Sequence, residues 1–135
     1  MRWALALIGL AGLIAGCGFD VQSPDLFLLT RTGQGSKLTL LLNDSGTIRC
    51  NGRSHSLPDP LLIRARDLAD SLGGDAKAGL RIRSAPDSIY RYTIRLQEGT
   101  ISFPDTATAG GKFPTLAQAE LFTVQAAQQA CGLNG

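Results

Sequence analysis

Histidine is almost absent from this sequence, which limits the chemistry open to the chain. His55 is the only one in 135 residues, whereas a zinc site needs three or four ligands at compatible spacing. The chain also has no Cys-x-x-Cys pair and no nucleophile-elbow pattern around a serine. We therefore expect no metal, no cofactor and no enzymatic activity. A hydrolase that uses His55 stays open as a minor alternative, because the members of a catalytic triad need not be adjacent in sequence.

An excess of charge of one sign is also missing. The chain has 13 basic and 11 acidic residues, and removal of residues 1–16 takes away only Arg2 among them. Nucleic-acid-binding domains usually carry a strong basic excess, so we expect no nucleic-acid partner. The composition, 44% hydrophobic and 18% charged, is that of a globular domain.

No hydrophobic run is long enough to span a bilayer. The run from Trp3 to Ile14 stops well short of the roughly 20 residues that a spanning helix needs. It follows the positively charged Arg2 and ends in small residues just before Cys17. This pattern is typical of a secretory signal peptide.

The end of this run, Leu13-Ile14-Ala15-Gly16-Cys17, resembles the lipobox of bacterial lipoproteins. The resemblance implies a diacylglycerol on the Cys17 thiol, cleavage before Cys17 and usually a third acyl chain on the new amino group. Two or three chains anchor a protein firmly, because each buried methylene contributes about 0.8 kcal/mol. The implied location is the cell membrane or outer membrane, on the extracytoplasmic side. Two alternatives remain: an ordinary signal cleaved near Gly18, and an uncleaved anchor helix.

This interpretation divides the chain into three parts. Residues 1–16 are the signal peptide, residues 17–25 are the lipidated cysteine and a short tether, and residues 26–135 are a single domain. At about 3.3 Å per residue the tether reaches some 25 Å at most. We therefore expect the domain to lie close to the bilayer.

Hydrophobic periodicity predicts strands in pairs, separated by helices. Asp59-Pro60 is typical of a helix start, Gly73-Gly74 of its end, and Arg66 and Asp70 are spaced to pair on its exposed side. The order β-hairpin-α-hairpin-α predicts an α+β fold, an antiparallel sheet of about five strands with two helices on one face. The predicted strands are 26–31, 37–42, 47–51, 90–96 and 101–103, the predicted helices are 59–72 and 114–130, and 75–88 and 104–113 are predicted loops.

Three cysteines are an odd number for an exported protein. If Cys17 carries lipid, Cys50 and Cys131 remain, and two cysteines of a small exported domain usually form a disulfide. Closing a loop of about 80 residues contributes at most about 4.5 kcal/mol. The alternative is a pair of free, buried thiols.

Four arginines form the main surface feature, Arg81, Arg83, Arg91 and Arg95. Arg91 and Arg95 share one face of a predicted strand, and the other two join them if the preceding segment continues the sheet. A basic patch of this kind binds anionic head groups or an acidic ligand. The alternative is a solvated sheet face without a binding role.

Residues 27–35, Phe-Leu-Leu-Thr-Arg-Thr-Gly-Gln-Gly, and the order of elements after them resemble emfourin-type metalloprotease inhibitors. The resemblance spans most of the predicted domain in element order and implies inhibition of an extracellular metalloprotease. No site residues follow from it. Our leading hypothesis is a membrane-anchored, non-enzymatic domain that binds an unidentified envelope protein or ligand, or acts as a scaffold; inhibition is the first alternative.

Overall fold

A computed structural model describes Val21 and residues 24–134. Cys17, the predicted signal peptide and most of the predicted tether lie outside these residues. The described part contains six strands, two α-helices and one 3₁₀ segment. In chain order they are β1 (Asp25–Gly33), β2 (Ser36–Asn43), β3 (Thr47–Cys50), β4 (Arg53–Ser56), α1 (Asp59–Ala78), β5 (Arg91–Arg95), β6 (Thr100–Pro104), the 3₁₀ segment (Asp105–Gly111) and α2 (Pro114–Gln129).

The strands form one sheet in the order β4-β3-β2-β1-β5-β6, and all neighbours are antiparallel. Three hairpin turns join β1 to β4 in its first half, and both residues of the two-residue turns Gln34-Gly35 and Asn51-Gly52 have positive φ angles. Such two-residue turns match the twist of the strands they join. The predicted α+β class with an antiparallel sheet is confirmed.

The sixth strand, β4, was not predicted. Its sequence Arg-Ser-His-Ser has no apolar alternation, so hydrophobic periodicity gives no indication of it. It forms because the Asn51-Gly52 turn folds the chain back onto β3, with Cys50 opposite Arg53. His55, which none of the predicted strands or helices contains, therefore lies on an edge strand, half-buried, opposite Ile48.

Helix α1 is longer than predicted. It runs through Gly73-Gly74 and ends at Gly79, which has a left-handed φ of 67° and donates its N–H to Ala76. Its buried stripe continues past the glycines to Ala76, so packing against the sheet outweighs the roughly 1 kcal/mol that each interior glycine costs.

The predicted loop after α1 is also partly ordered against the sheet. The amide of Ile82 donates to Ser102 of β6 at 2.9 Å, and the amide of Ser102 donates to Leu80 at 3.0 Å. These bonds make a short parallel bridge at the β6 edge. The loop predicted at 104–113 likewise contains the 3₁₀ segment, while the second predicted helix is confirmed as α2.

The core lies between one face of the sheet and the two helices. Alternate strand residues such as Leu29, Leu40 and Ile94 are fully buried and cluster with residues of both helices. Phe27 meets Phe122 of α2 edge-on, with ring centroids 5.9 Å apart. The helices therefore cover a single face of the sheet, as predicted, and position the opposite face for solvent or a partner.

Candidate binding face of the sheet

The strand face opposite the helices, here called the open face, carries the residues that alternate with the buried ones. Register fixes its composition, because residues paired across an antiparallel sheet share a face. Leu28 lies between Leu41 and Arg95, and Thr30 lies between Thr39 and Thr93. The members of the open face are Asp25, Leu28, Thr30, Thr32, Lys37, Thr39, Leu41, Asn43, Thr47, Arg49, Ser54, Ser56, Arg91, Thr93, Arg95, Thr100, Ser102 and Pro104.

Charge is divided between the strands and the helices of the described chain. The strands contain six basic residues and one carboxylate, whereas the α-helices and the 3₁₀ segment contain six carboxylates and three basic residues. The near-neutral net charge of the chain is therefore the sum of a basic sheet and an acidic helical layer that packs on it. The charged strand residues are Arg31, Lys37, Arg49, Arg53, Arg91 and Arg95, with Asp25 as the acidic one.

The centre of the open face is uncharged and its sides are basic. Leu28 is only 9% exposed, although it does not belong to the core cluster under the helices. Arg49 flanks Leu41 on one side, and Arg95 flanks Leu28 on the other. An apolar and threonine-rich strip with cations on both sides has the charge pattern that suits an extended anionic surface.

Arg91, predicted as a patch residue, is held in place by three hydrogen bonds. Its guanidinium donates to Ser102 Oγ at 3.0 Å, to Ser84 Oγ at 2.9 Å and to the Ile82 carbonyl at 2.9 Å. These bonds fix the segment after α1 against β6. Arg91 therefore combines a structural role with its positive charge.

The other predicted patch residues are only partly brought together. Arg81 is exposed and lies opposite Ser102, hence on the open face beside Arg91. Arg95 is exposed on the same face of β5. Arg83 instead lines a cavity of about 460 Å³ with Lys112 and Phe113 beyond the end of β6. Lys37 and Arg49 also belong to the basic sides of the open face, although the predicted patch did not include them.

The expected cysteine pair forms a disulfide. Cys50 ends β3 and Cys131 lies just beyond α2, with their Cα atoms 5.9 Å apart. The bond ties the sheet to the end of the chain across 81 positions. The chain has three cysteines, so neither of these two is available to Cys17.

A polar cluster that the sequence did not predict closes one end of the core. Burial raises the pKa of Glu120, although Thr108 Oγ1 donates to its carboxylate at 3.1 Å. Burial, together with the Glu120 carboxylate, also raises the pKa of Tyr92, while Arg31 opposes that shift. Arg31 packs over the Tyr90 ring, 4.7 Å from its centroid. The Glu120 carboxylate is therefore partly buried with a hydroxyl, and no cation, as its hydrogen-bond partner.

We searched residues 24–134 for side chains that could together hold a metal ion. No three residues of the His, Cys, Asp or Glu type come together there as a metal site would require. None of the helices in this part of the chain is both long and apolar enough to cross a membrane.

Comparison of the chain with protein-family models, with curated proteins and with solved structures finds no match. Function must therefore be argued from the residues themselves. The observations that bear on it are the segregated charge, the disulfide and the sequence around Cys17.

Proposed function

We propose that this chain is an exported lipoprotein, anchored through acylated Cys17, whose domain binds an envelope component without catalysing a reaction. The observation that carries the proposal is the Cys50–Cys131 disulfide. Disulfides persist in oxidising compartments outside the cytoplasm. The bond also accounts for two of the three cysteines and leaves Cys17, in its lipobox-like sequence, for lipid.

The binding role rests on the open face. Its cations Lys37, Arg49 and Arg95 surround uncharged residues, and both helices pack on the other side of the sheet. Complementary charge attracts and orients anionic partners. A broad face of this kind favours binding to a surface over turnover of a substrate.

Metabolic labelling tests the anchor. Cells that express the full chain receive an alkyne-bearing fatty acid, and the purified protein is examined for incorporated label and for its distribution between membrane and soluble fractions. We expect label on the wild type and none on the Cys17→Ala variant, which should also retain its signal peptide. A variant lacking both Cys50 and Cys131 is the matched control and should still be labelled. Equal labelling of Cys17→Ala and the wild type would contradict the proposal.

Protease inhibition is the alternative that the emfourin-like resemblance suggests. The turn of the quoted segment, Gln34-Gly35, is exposed at the tip of the β1–β2 hairpin, where it is accessible to a partner. The soluble form, residues 18–135, would then block a thermolysin-like protease at stoichiometric amounts. An unchanged proteolysis rate removes this alternative.

A further inference from the structure

We propose that the open face lies directly on the anionic head groups of the bilayer in which Cys17 is anchored. The inference rests on the proposed lipid anchor and specifies the partner of the domain. It follows from three features: the point where the tether joins the sheet, the acidic residues around that point, and the cations of the open face, whose central residues carry no negative charge.

The tether joins the sheet at its middle. It ends at Pro24, and the strand that follows, β1, is the fourth of six in the sheet. Six strands span about 29 Å and a strand of eight residues about 26 Å. The tether from Cys17 to Pro24 extends at most some 25 Å, so the whole open face lies within reach of the bilayer surface.

The end of the sheet at which the tether joins is acidic. A cavity of about 220 Å³ beside Pro24 is lined by Asp25, Asp44, Asp70 and Glu98. Of these, Asp44 is paired with Arg66 at 2.6 Å. An anionic surface therefore repels this end and disfavours an upright domain that stands on its tether.

The open face is the complementary surface. Strand cations Lys37, Arg49, Arg91 and Arg95 share it, and Asp25 at its tether end, which accepts a hydrogen bond from Asn43 at 3.0 Å, is the one strand carboxylate. The central residues are leucines and threonines, which pack against a surface without burying a negative charge. Rotation about the tether brings this face onto the head groups and turns the acidic helical layer away.

A single-tryptophan probe tests this orientation. Trp3 is the only tryptophan of the chain and lies in the signal peptide, so the processed protein contains none. Leu41→Trp places a probe on the open face, and Ile63→Trp places one on the outer side of α1, where Ile63 is 57% exposed. Thr30→Trp is a second open-face probe, in case the substitution at Leu41 disturbs folding as judged by circular dichroism.

The lipidated, processed proteins, residues 17–135, are reconstituted into vesicles that contain a head-group nitroxide lipid. One set is phosphatidylcholine alone, and the other is phosphatidylcholine and phosphatidylglycerol in equal parts. We expect Leu41→Trp to be quenched in the anionic vesicles and not in the neutral ones, and Ile63→Trp to be quenched in neither. Salt at about 1 M, where the screening length falls to about 3 Å, should abolish the quenching.

Charge variants separate docking from anchoring. In the Leu41→Trp background, Lys37→Gln with Arg49→Gln removes two open-face cations, while Lys77→Gln with Arg64→Gln removes the same two residue types from α1. Each cation near an anionic surface contributes about fivefold, or about 1 kcal/mol. We expect the first pair to weaken docking about 30-fold and the second pair to leave it unchanged.

The possible failures are distinguishable. If the wild-type protein does not float with neutral vesicles, the lipid anchor is wrong and the docking proposal falls with it. If the protein floats but neither probe is quenched, the anchor holds and docking is overturned, which leaves the open face to a protein partner. Equal quenching of the Leu41→Trp and Ile63→Trp probes, or of Leu41→Trp in both kinds of vesicle, also overturns it.

Discussion

Cys50 at the end of β3 is joined to Cys131 beyond α2, so a single covalent bond links the sheet to the last residues of the described chain. The bond lies on the β2–β3 side of the sheet, one strand in from the β4 edge. It holds the C-terminal end of α2 over the core in a domain whose helical layer has only two α-helices. Reduction should therefore loosen α2 more than the strands on the β5–β6 side.

Removal of this bond should cost substantial stability. A Cys50→Ala, Cys131→Ala variant is expected to lose about 2–5 kcal/mol of unfolding free energy, since native disulfides in small exported domains contribute that much. Urea unfolding of the variant and the wild type measures the difference. A reducing agent is the matched control: it should lower the transition midpoint of the wild type to that of the variant and leave the variant unchanged. A double variant as stable as the wild type would show that the cross-link is dispensable.

Stability should depend on pH through Glu120. Burial is the main cause of its raised pKa, and nearby Asp105 adds to the shift while Thr108 opposes it. The folded state thus binds the proton more tightly than the unfolded state. This stabilisation is complete below the ordinary value of 4.5 and is lost as pH rises through the higher folded pKa.

Glu120→Gln should remove this pH dependence. The variant is expected to gain stability relative to the wild type at neutral pH and to match it at acidic pH, because glutamine cannot ionise. Thermal unfolding across the acidic-to-neutral range measures the effect. A neighbouring control is Gln118→Glu, an exposed residue of the same helix, which should follow the wild-type pH profile. A parallel profile for Glu120→Gln and the wild type would contradict the prediction.

Arg91 should be more important to the fold than the other predicted patch residues. Arg91→Ala removes three hydrogen bonds to Ser102, Ser84 and Ile82, and we expect a loss of about 2 kcal/mol. Hydrogen exchange at the Ile82 amide should accelerate as the segment after α1 detaches. Arg81→Ala, an exposed neighbour on the open face, should change stability by less than about 0.5 kcal/mol. Similar exchange rates in both variants would argue against this role for Arg91.

Gly74 and Gly79 should respond in opposite directions to substitution by alanine. Gly74 lies inside the helix, and a Cβ built there meets no other atom, so Gly74→Ala should stabilise by about 0.5–1 kcal/mol. Gly79 has a φ of 67° at the helix end, so Gly79→Ala should destabilise by about 1 kcal/mol. Chemical unfolding compares the two, and a change of the same sign in both would contradict the assignment of the helix end.

Local periodicity predicted the elements that bury a regular stripe. The alternation of Leu38, Leu40 and Leu42 indicated β2, and all three are buried. The same method ended α1 too early because it weighed Gly73-Gly74 above the buried Ala76. It missed β4 because that strand is specified by a turn and not by its own side chains.

Contacts between residues that are far apart in the sequence could not be predicted from local patterns. Arg66 was expected to pair with Asp70 one turn along the helix and instead pairs with Asp44 of the β2–β3 turn. Glu120 gains its partner Thr108 from a 3₁₀ segment that was predicted as a loop. The basic character of the open face likewise depends on strand order, since Lys37, Arg49 and Arg95 come from three separate strands.

The proposed lipid anchor is tested most directly by intact-mass spectrometry of the protein isolated from the cells that produce it. We expect a mass that lacks residues 1–16 and exceeds the remaining polypeptide by a diacylglyceryl group and one further acyl chain, with fragmentation placing both on residue 17. A mass that still includes the signal peptide, or one that shows residue 17 without lipid, would contradict the proposed anchor.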